Sequence, residues 1–217
     1  LPCRAQARGK AMQYVEERIK RLLQELETRI YPIKTPVSGI RMKKTREQYD
    51  PSAGINTTDW EVCPPEPLWG GHREYFWFSM GVDIPETFAG MPVEIEVRTG
   101  REEPREKGEE WGWDALNPQF TAFVNGRIVQ GLDINHRDIL LTEQAKGGEH
   151  FTVVLSAFTG DQNPTLKLDC RLKARDVITE KYFYDLEVPY KILRLLERDD
   201  KLYLDMVRIL NQSLDLV

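Results

Sequence analysis

The stretch that decides the fold reads Phe120-Thr-Ala-Phe-Val-Asn-Gly-Arg-Ile-Val-Gln-Gly-Leu-Asp-Ile-Asn-His-Arg-Asp138. Two short apolar runs flank Asn125-Gly126, the dipeptide that best supplies the two positive φ values of a type I′ hairpin turn. Gly131 then releases the chain into a polar loop carrying Asp133, Asn135 and His136. A tight hairpin with an exposed, polar exit is expected here.

The sequence on either side keeps the same period of two. In residues 75–84, Phe76, Phe78, Met80, Val82 and Ile84 alternate with Tyr75, Trp77, Ser79 and Asp83, the pattern of a two-faced strand. Pro85 ends that strand, and a turn through Phe88 and Gly90 leads to a strand at 93–97. Alternation recurs at 120–124, 137–141, 150–158 and 165–174. In the last of these, Leu166, Leu168, Cys170, Leu172 and Ala174 face one way, and Lys167, Asp169, Arg171 and Lys173 the other. Short alternating strands split by Gly, Pro and Asn turns, without helices between them, predict an antiparallel β-sandwich. Phe76, Phe78, Leu166, Leu168 and Leu172 are expected in its core. A parallel α/β sheet is disfavoured because its crossover helices are missing.

Both ends read as helix. Ala7, Ala11, Val15, Ile19, Leu22, Leu23, Leu26 and Ile30 recur at three- and four-residue steps until Pro32, which predicts an amphipathic helix. Residues 40–68 are polar and proline-containing, an ordered connector wrapped over a core, with room for a helix at 44–49. From residue 180 the helical period returns in Val188, Ile192, Leu195 and Leu196, then in Tyr203, Met206, Ile209, Leu210 and Leu214. Pro189 fits only a first turn, so this helix is expected to begin near Asp185 or Val188. The expected organisation is an N-terminal helix at 1–31, an extended connector at 32–68, a β-sandwich domain at 69–176 and a helical linker at 177–217. The stripes Val15, Ile19, Leu22, Leu26 and Ile192, Leu195, Leu196, Met206, Leu210 need cover. Helix-on-helix docking or assembly into a homo-oligomer is expected to supply it.

Composition narrows the function. The 217 residues are 41% hydrophobic and 30% charged with a net charge of −5, which fits an ordinary globular protein and leaves no nucleic-acid footprint. No apolar run approaches the roughly 20 residues that span a bilayer, and the first residues lack the apolar segment of a signal peptide. Neither nucleic acid nor membrane is an expected partner. Cys3, Cys63 and Cys170 are scattered, which fits a reducing compartment and a cytoplasmic location. Asn56-Thr-Thr and Asn211-Gln-Ser read as chance glycosylation matches, and the charged run at 101–110 as a solvated loop tip.

No catalytic constellation is legible. His136-Arg-Asp138 has the spelling of a kinase catalytic loop, but Glu143 stands where the magnesium-binding Asn belongs and no glycine-rich loop exists. As a His-x-Asp metal pair it lacks companions, since His72 and His150 lie far away in sequence. There is no Gly-x-Ser-x-Gly and no phosphate-cradling loop. Asp83, the one carboxylate in an apolar setting, reads as a strand end. The chain is therefore expected to hold no catalytic and no metal site. Trp69, Trp77, Trp111 and Trp113 bracket the sandwich, and sugar binding uses tryptophan faces with Asn, Asp and His loops. Trp111, Trp113, Asp133, Asn135 and His136 are thus candidates for carbohydrate contact or a domain interface. Burial of the tryptophans would mark a structural role instead.

A resemblance adds to this reading. It rests on Trp69-Gly, Trp77-Phe, Ile84-Pro85, Phe88-Ala-Gly90, Asn117-Pro-Gln-Phe120, Val124-Asn-Gly126 and Gln130-Gly-Leu-Asp-x-x-His136. Tyr184-Asp-Leu-x-Val188 and Ile209-Leu-Asn-x-x-Leu-Asp-Leu216 continue it. This order resembles the amino-terminal domain of cytosolic and vacuolar-type α-mannosidases of glycoside hydrolase family thirty-eight. The resemblance implies a jelly-roll, galactose-binding-like sandwich ahead of a catalytic barrel lying beyond Val217. That barrel would bind zinc and carry out retaining hydrolysis of α-mannosides, while this part holds no cofactor. The domain would support its own barrel and oligomer contacts; the alternative is a carbohydrate-binding module with its own sugar site.

Overall fold

The computed structural model describes residues 2–101, 118–133 and 135–214, with side chains described from Tyr14 onward except at Arg101. Helix α1 (Pro2–Ile30) leads into strands β1 (Ile33–Pro36), β2 (Arg41–Lys44), β3 (Glu61–Val62) and β4 (Leu68–Gly70). Next come β5 (Tyr75–Asp83), β6 (Val93–Arg101), β7 (Gln119–Val124) and β8 (Arg127–Leu132). Strands β9 (Asp138–Thr142), β10 (His150–Phe158) and β11 (Thr165–Ala174) precede helices α2 (Val177–Leu193) and α3 (Lys201–Leu214). The chain divides into a helical unit, Leu1–Pro32 with Arg175–Val217, and a β unit, Ile33–Ala174.

The β unit is an antiparallel sandwich. One sheet runs β1-β11-β6-β9, with β4 also on β11, and the other runs β3-β2-β5-β10-β7-β8. The inward rows meet as expected from their period: Phe78, Leu155, Ile95, Leu166 and Leu168 are fully buried in one core, joined by Phe76 and Leu172. Trp69 sits in its middle, edge-on to Phe76, Phe78 and Phe120 at 5.5, 5.5 and 5.3 Å. Its Nε1 donates to Thr99 Oγ1 at 3.1 Å, and that hydroxyl donates to the Lys167 carbonyl at 2.8 Å. The buried polar atoms of the cluster are thereby satisfied.

Asn125 and Gly126 take φ values of 48° and 78°, which closes β7 onto β8 as a primed turn does. Asn125 has a second role. Its N–H donates to the Thr152 carbonyl at 2.8 Å, and its Oδ1 accepts from Thr152 N at 2.9 Å, so the turn is stitched to β10.

The connector region contributes β1, β2 and β3 to the sheets. No helix forms at 44–49, because Arg41–Lys44 instead pair with the free edge of β5, Lys43 opposite Trp77. Edge backbone groups offered by β5 are satisfied by this pairing, which an isolated short helix could not match.

Within the helical unit, Val15, Ile19, Leu23, Leu26 and Ile30 pack with Phe183, Leu186, Leu193, Tyr203, Val207 and Leu210. The α1 stripe is therefore covered within this unit, but mainly by Phe183, Leu186, Leu193, Tyr203 and Val207. Of the expected second stripe only Leu210 is buried, while Leu195 is 86% exposed and Ile192 45%. That shift follows from where α2 starts. It begins at Val177 and carries Pro189 in its interior, which corrects the expected start near Asp185 or Val188. The Asp176 side chain accepts from Ile178 N and Thr179 N, both at 3.0 Å, and caps the helix. An interior proline costs about 3 kcal/mol. Burial of Phe183, Leu186 and Leu193, at roughly 1.5–3 kcal/mol each, outweighs it.

Cys63 and Cys170 are buried free thiols. Burial pushes both up from the ordinary thiol value, Cys170 furthest. Iodoacetamide at neutral pH is expected to leave Cys170 unmodified in the folded protein and to alkylate it once urea opens the sandwich. Peptide mass mapping reads this directly, and labelling of the native state would contradict the burial. Among the described residues no helix is long and apolar enough to cross a membrane.

Candidate functional site

The outward face of the six-stranded sheet is built by register. Tyr75, Phe158 and Gln119 stand opposite one another on β5, β10 and β7. The next outward row is Trp77, Ser156, Thr121 and, on β8, Gly131. A period of two turns both rows to the same side.

Part of this face is roofed by residues 47–60. Tyr49 lies edge-on to Trp77 at 5.4 Å and tilted against Trp60 at 5.5 Å, while Trp77 Nε1 donates to the Glu47 carbonyl at 3.2 Å. Trp77 and Trp60 are consequently 2% and 3% exposed. The hairpin turn braces the roof: a Cβ on Gly126 would lie 2.7 Å from the Pro51 carbonyl oxygen. The middle of β5 is thus buried on both sides. Its alternation could not reveal that, because the cover comes from a polar segment with no period.

Beyond the roof the face opens into a cleft of about 450 Å³. Tyr75, 37% exposed, stands 4.8 Å from Phe158 at a 34° tilt and forms an aromatic wall with it. Gln48, Gln119, Thr121, Ser156 and Asp133 supply amides, hydroxyls and a carboxylate around it. Gly131 brings no side chain, and a Cβ there would meet only the Phe120 carbonyl oxygen, at 3.7 Å. An apolar ring face bordered by neutral donors and acceptors suits a ligand that is itself two-faced.

Asp133 is fixed by the loop it begins. Its Oδ1 accepts from Asn135 N at 2.7 Å and His136 N at 2.9 Å, and lies 3.0 Å from His136 Nδ1. These contacts, the Asn135 N–H foremost, hold its carboxyl below the ordinary carboxylate range.

Of the site candidates among the described residues, Asp133 alone lines the cleft. Asn135 and His136 shape its loop instead, with the His136 side chain 71% exposed. Trp111 and Trp113 lie outside the described residues. Trp69 and Trp77 are buried, so the tryptophan test points to packing there. Sequence reasoning passed over Tyr75, Phe158, Gln119 and Ser156 as binding residues. Tyr75 was visible as an outward aromatic, but its partners emerge only from strand register.

Elsewhere, His150 Nδ1 and Asp83 Oδ1 lie 2.7 Å apart at the far end of β5. Lys173, 3% exposed, pairs with Asp138 at 2.7 Å and with Glu94 at 3.8 Å on the other sheet. Among the described residues no three His, Cys, Asp or Glu side chains gather where a metal could sit.

No protein-family model matches the chain, and no curated protein matches it either. Solved structures that it resembles include β-glucuronidases. The Faecalibacterium prausnitzii enzyme is 9% identical with a TM-score of 0.42, over 66% of this chain and 32% of that one. The Ruminococcus gnavus enzyme in complex with D-glucuronic acid is 11% identical with a TM-score of 0.41, over 67% and 30%. A β-glucuronidase from glycoside hydrolase family 2 is 14% identical with a TM-score of 0.40, over 64% and 18%. The chain spans about a third or less of their length. Likeness of this degree assigns no residue a role.

These findings correct the expected membership of the family thirty-eight α-mannosidases. No family model and no curated protein is matched, and the solved structures named above are β-glucuronidases. The motifs behind that expectation have local causes. Asn125-Gly126 is a primed turn, and Glu86–Phe88 is a short 3-10 turn that buries Phe88 before Gly90 at φ 84°. Such turn chemistry is available to any sandwich.

Proposed function

We propose that this chain is a non-catalytic, saccharide-binding β-sandwich domain of the kind that accompanies the catalytic domain of a glycoside hydrolase. The observation that carries the reading is the cleft beside Tyr75 and Phe158. Sugar rings present C–H faces to aromatic walls and hydroxyls to amide, hydroxyl and carboxylate groups. The free, buried state of Cys63 and Cys170 supports a reducing, cytoplasmic setting.

A panel of neutral and acidic glycosides titrated into the labelled protein tests this by heteronuclear NMR. Shifts should cluster on Tyr75, Gln119, Ser156 and Phe158. Tyr75→Ala is expected to weaken binding roughly tenfold, the upper range of one aromatic contact, while leaving the fold intact. Absence of binding to every sugar, or shifts confined to other surfaces, would defeat the reading.

A second reading has its own support. Trp60, Trp69 and Trp77 are all buried, which favours a supporting domain that packs on its own catalytic barrel and stabilises a homo-oligomer. Loss of oligomer contacts with unchanged sugar affinity in surface variants would favour it.

A further inference from the structure

Resting on the reading just given, we infer that the cleft selects neutral saccharides and rejects uronates. Its described lining contains no Lys, Arg or His, and Asp133 is its one carboxylate. A sugar carboxylate needs a guanidinium, an ammonium or free backbone N–H groups. The strand amides beneath the cleft are already committed to pairing among β5, β10 and β7. Lys44 and Arg73, in the segments near Tyr75, are paired with Glu74 at 2.9 Å and Asp161 at 3.5 Å. An arriving carboxylate would therefore meet Asp133 with no cation among the described lining residues.

For a neutral sugar the same residue is an asset. The turn N–H groups and His136 engage Oδ1 of Asp133, which turns its second oxygen into an acceptor for a sugar hydroxyl. The turn also keeps the group ionised, since those bonds favour the carboxylate. A charged acceptor takes a stronger hydrogen bond from a hydroxyl than a neutral one does.

Matched ligands separate the two cases. Methyl β-glucoside and methyl β-glucuronide differ only in a hydroxymethyl against a carboxylate, and methyl β-galactoside has the corresponding galacturonide. In NMR titrations of the full chain at low salt, the neutral member of a binding pair should be roughly three- to tenfold tighter, the scale of one like-charge contact in partly screened solvent. High salt should narrow the gap. Asp133→Asn keeps the Oδ1 acceptor that the Asn135 and His136 N–H groups need, and should largely close it. Gln119→Glu adds a second carboxylate to the lining and should widen it, an arm that stands even if Asp133→Asn fails to fold.

Equal or tighter binding of the uronate, or a gap unchanged by both variants, overturns the selectivity while leaving saccharide binding in place. No cleft shift with any of the four glycosides or the wider panel removes the saccharide reading, and the selectivity with it.

Discussion

Replacing Phe78 by alanine should lower the stability of the sandwich by about 3–5 kcal/mol. Its ring is fully buried and touches Trp69 at 5.5 Å, Phe76 at 6.2 Å and Phe120 at 6.4 Å. Those neighbours come from β4, β5 and β7, so the vacated volume cannot be filled by moving one strand. The deletion removes both the transfer term and the contacts of three other rings. Urea unfolding followed by tryptophan fluorescence gives the value. The midpoint should fall with an unchanged slope, whereas Ile128→Ala, at a side chain 67% exposed, should hardly move it. Similar losses for the two variants would contradict the assigned core.

The second large effect is expected at Gly70, at the end of β4. Its φ is +137°, and a Cβ there would lie 2.0 Å from the Pro164 carbonyl oxygen, a backbone atom. Thr165 pairs with Gly70 and Leu166 with Trp69, so relief requires β4 to part from β11. That motion would drag Trp69 from the centre of the aromatic cluster. Gly70→Ala should therefore cost roughly 2–4 kcal/mol and reduce the near-ultraviolet circular dichroism of the tryptophans. Gly90→Ala is the matched control: φ is +84°, but nothing lies within 4 Å of the added carbon. Left-handed strain alone should cost about 1–2 kcal/mol there. Equal costs at the two positions would remove the steric argument.

Local signals and distant ones separate cleanly in this chain. The alternation at 150–158 and 165–174 coincides with β10 and β11, because a period of two and the Gly/Pro turns around it are properties of the segment itself. Asn125-Gly126 was equally legible, since its positive φ values are local chemistry. Pro189 misled for the converse reason. Its local cost is real, but the cap at Asp176 and the buried face of α2 lie outside the window in which a proline is judged.

The candidate site divides along the same line. Asp133 could be singled out because a polar loop after a hairpin is visible in order along the chain. Gln119, Thr121, Ser156 and Phe158 could not, since nothing in their own segments distinguishes them from other outward strand residues.

The sequence alone determined that this protein builds an antiparallel sandwich with helical ends, because side-chain period and turn chemistry act over a few residues. Only the tertiary structure decided which outward face is roofed and which is open. The roof at 47–60 and the row Tyr75, Phe158, Gln119 come from segments far apart in the chain. Strand register brings them together, and register is set by the packing of the whole core, not by any one strand.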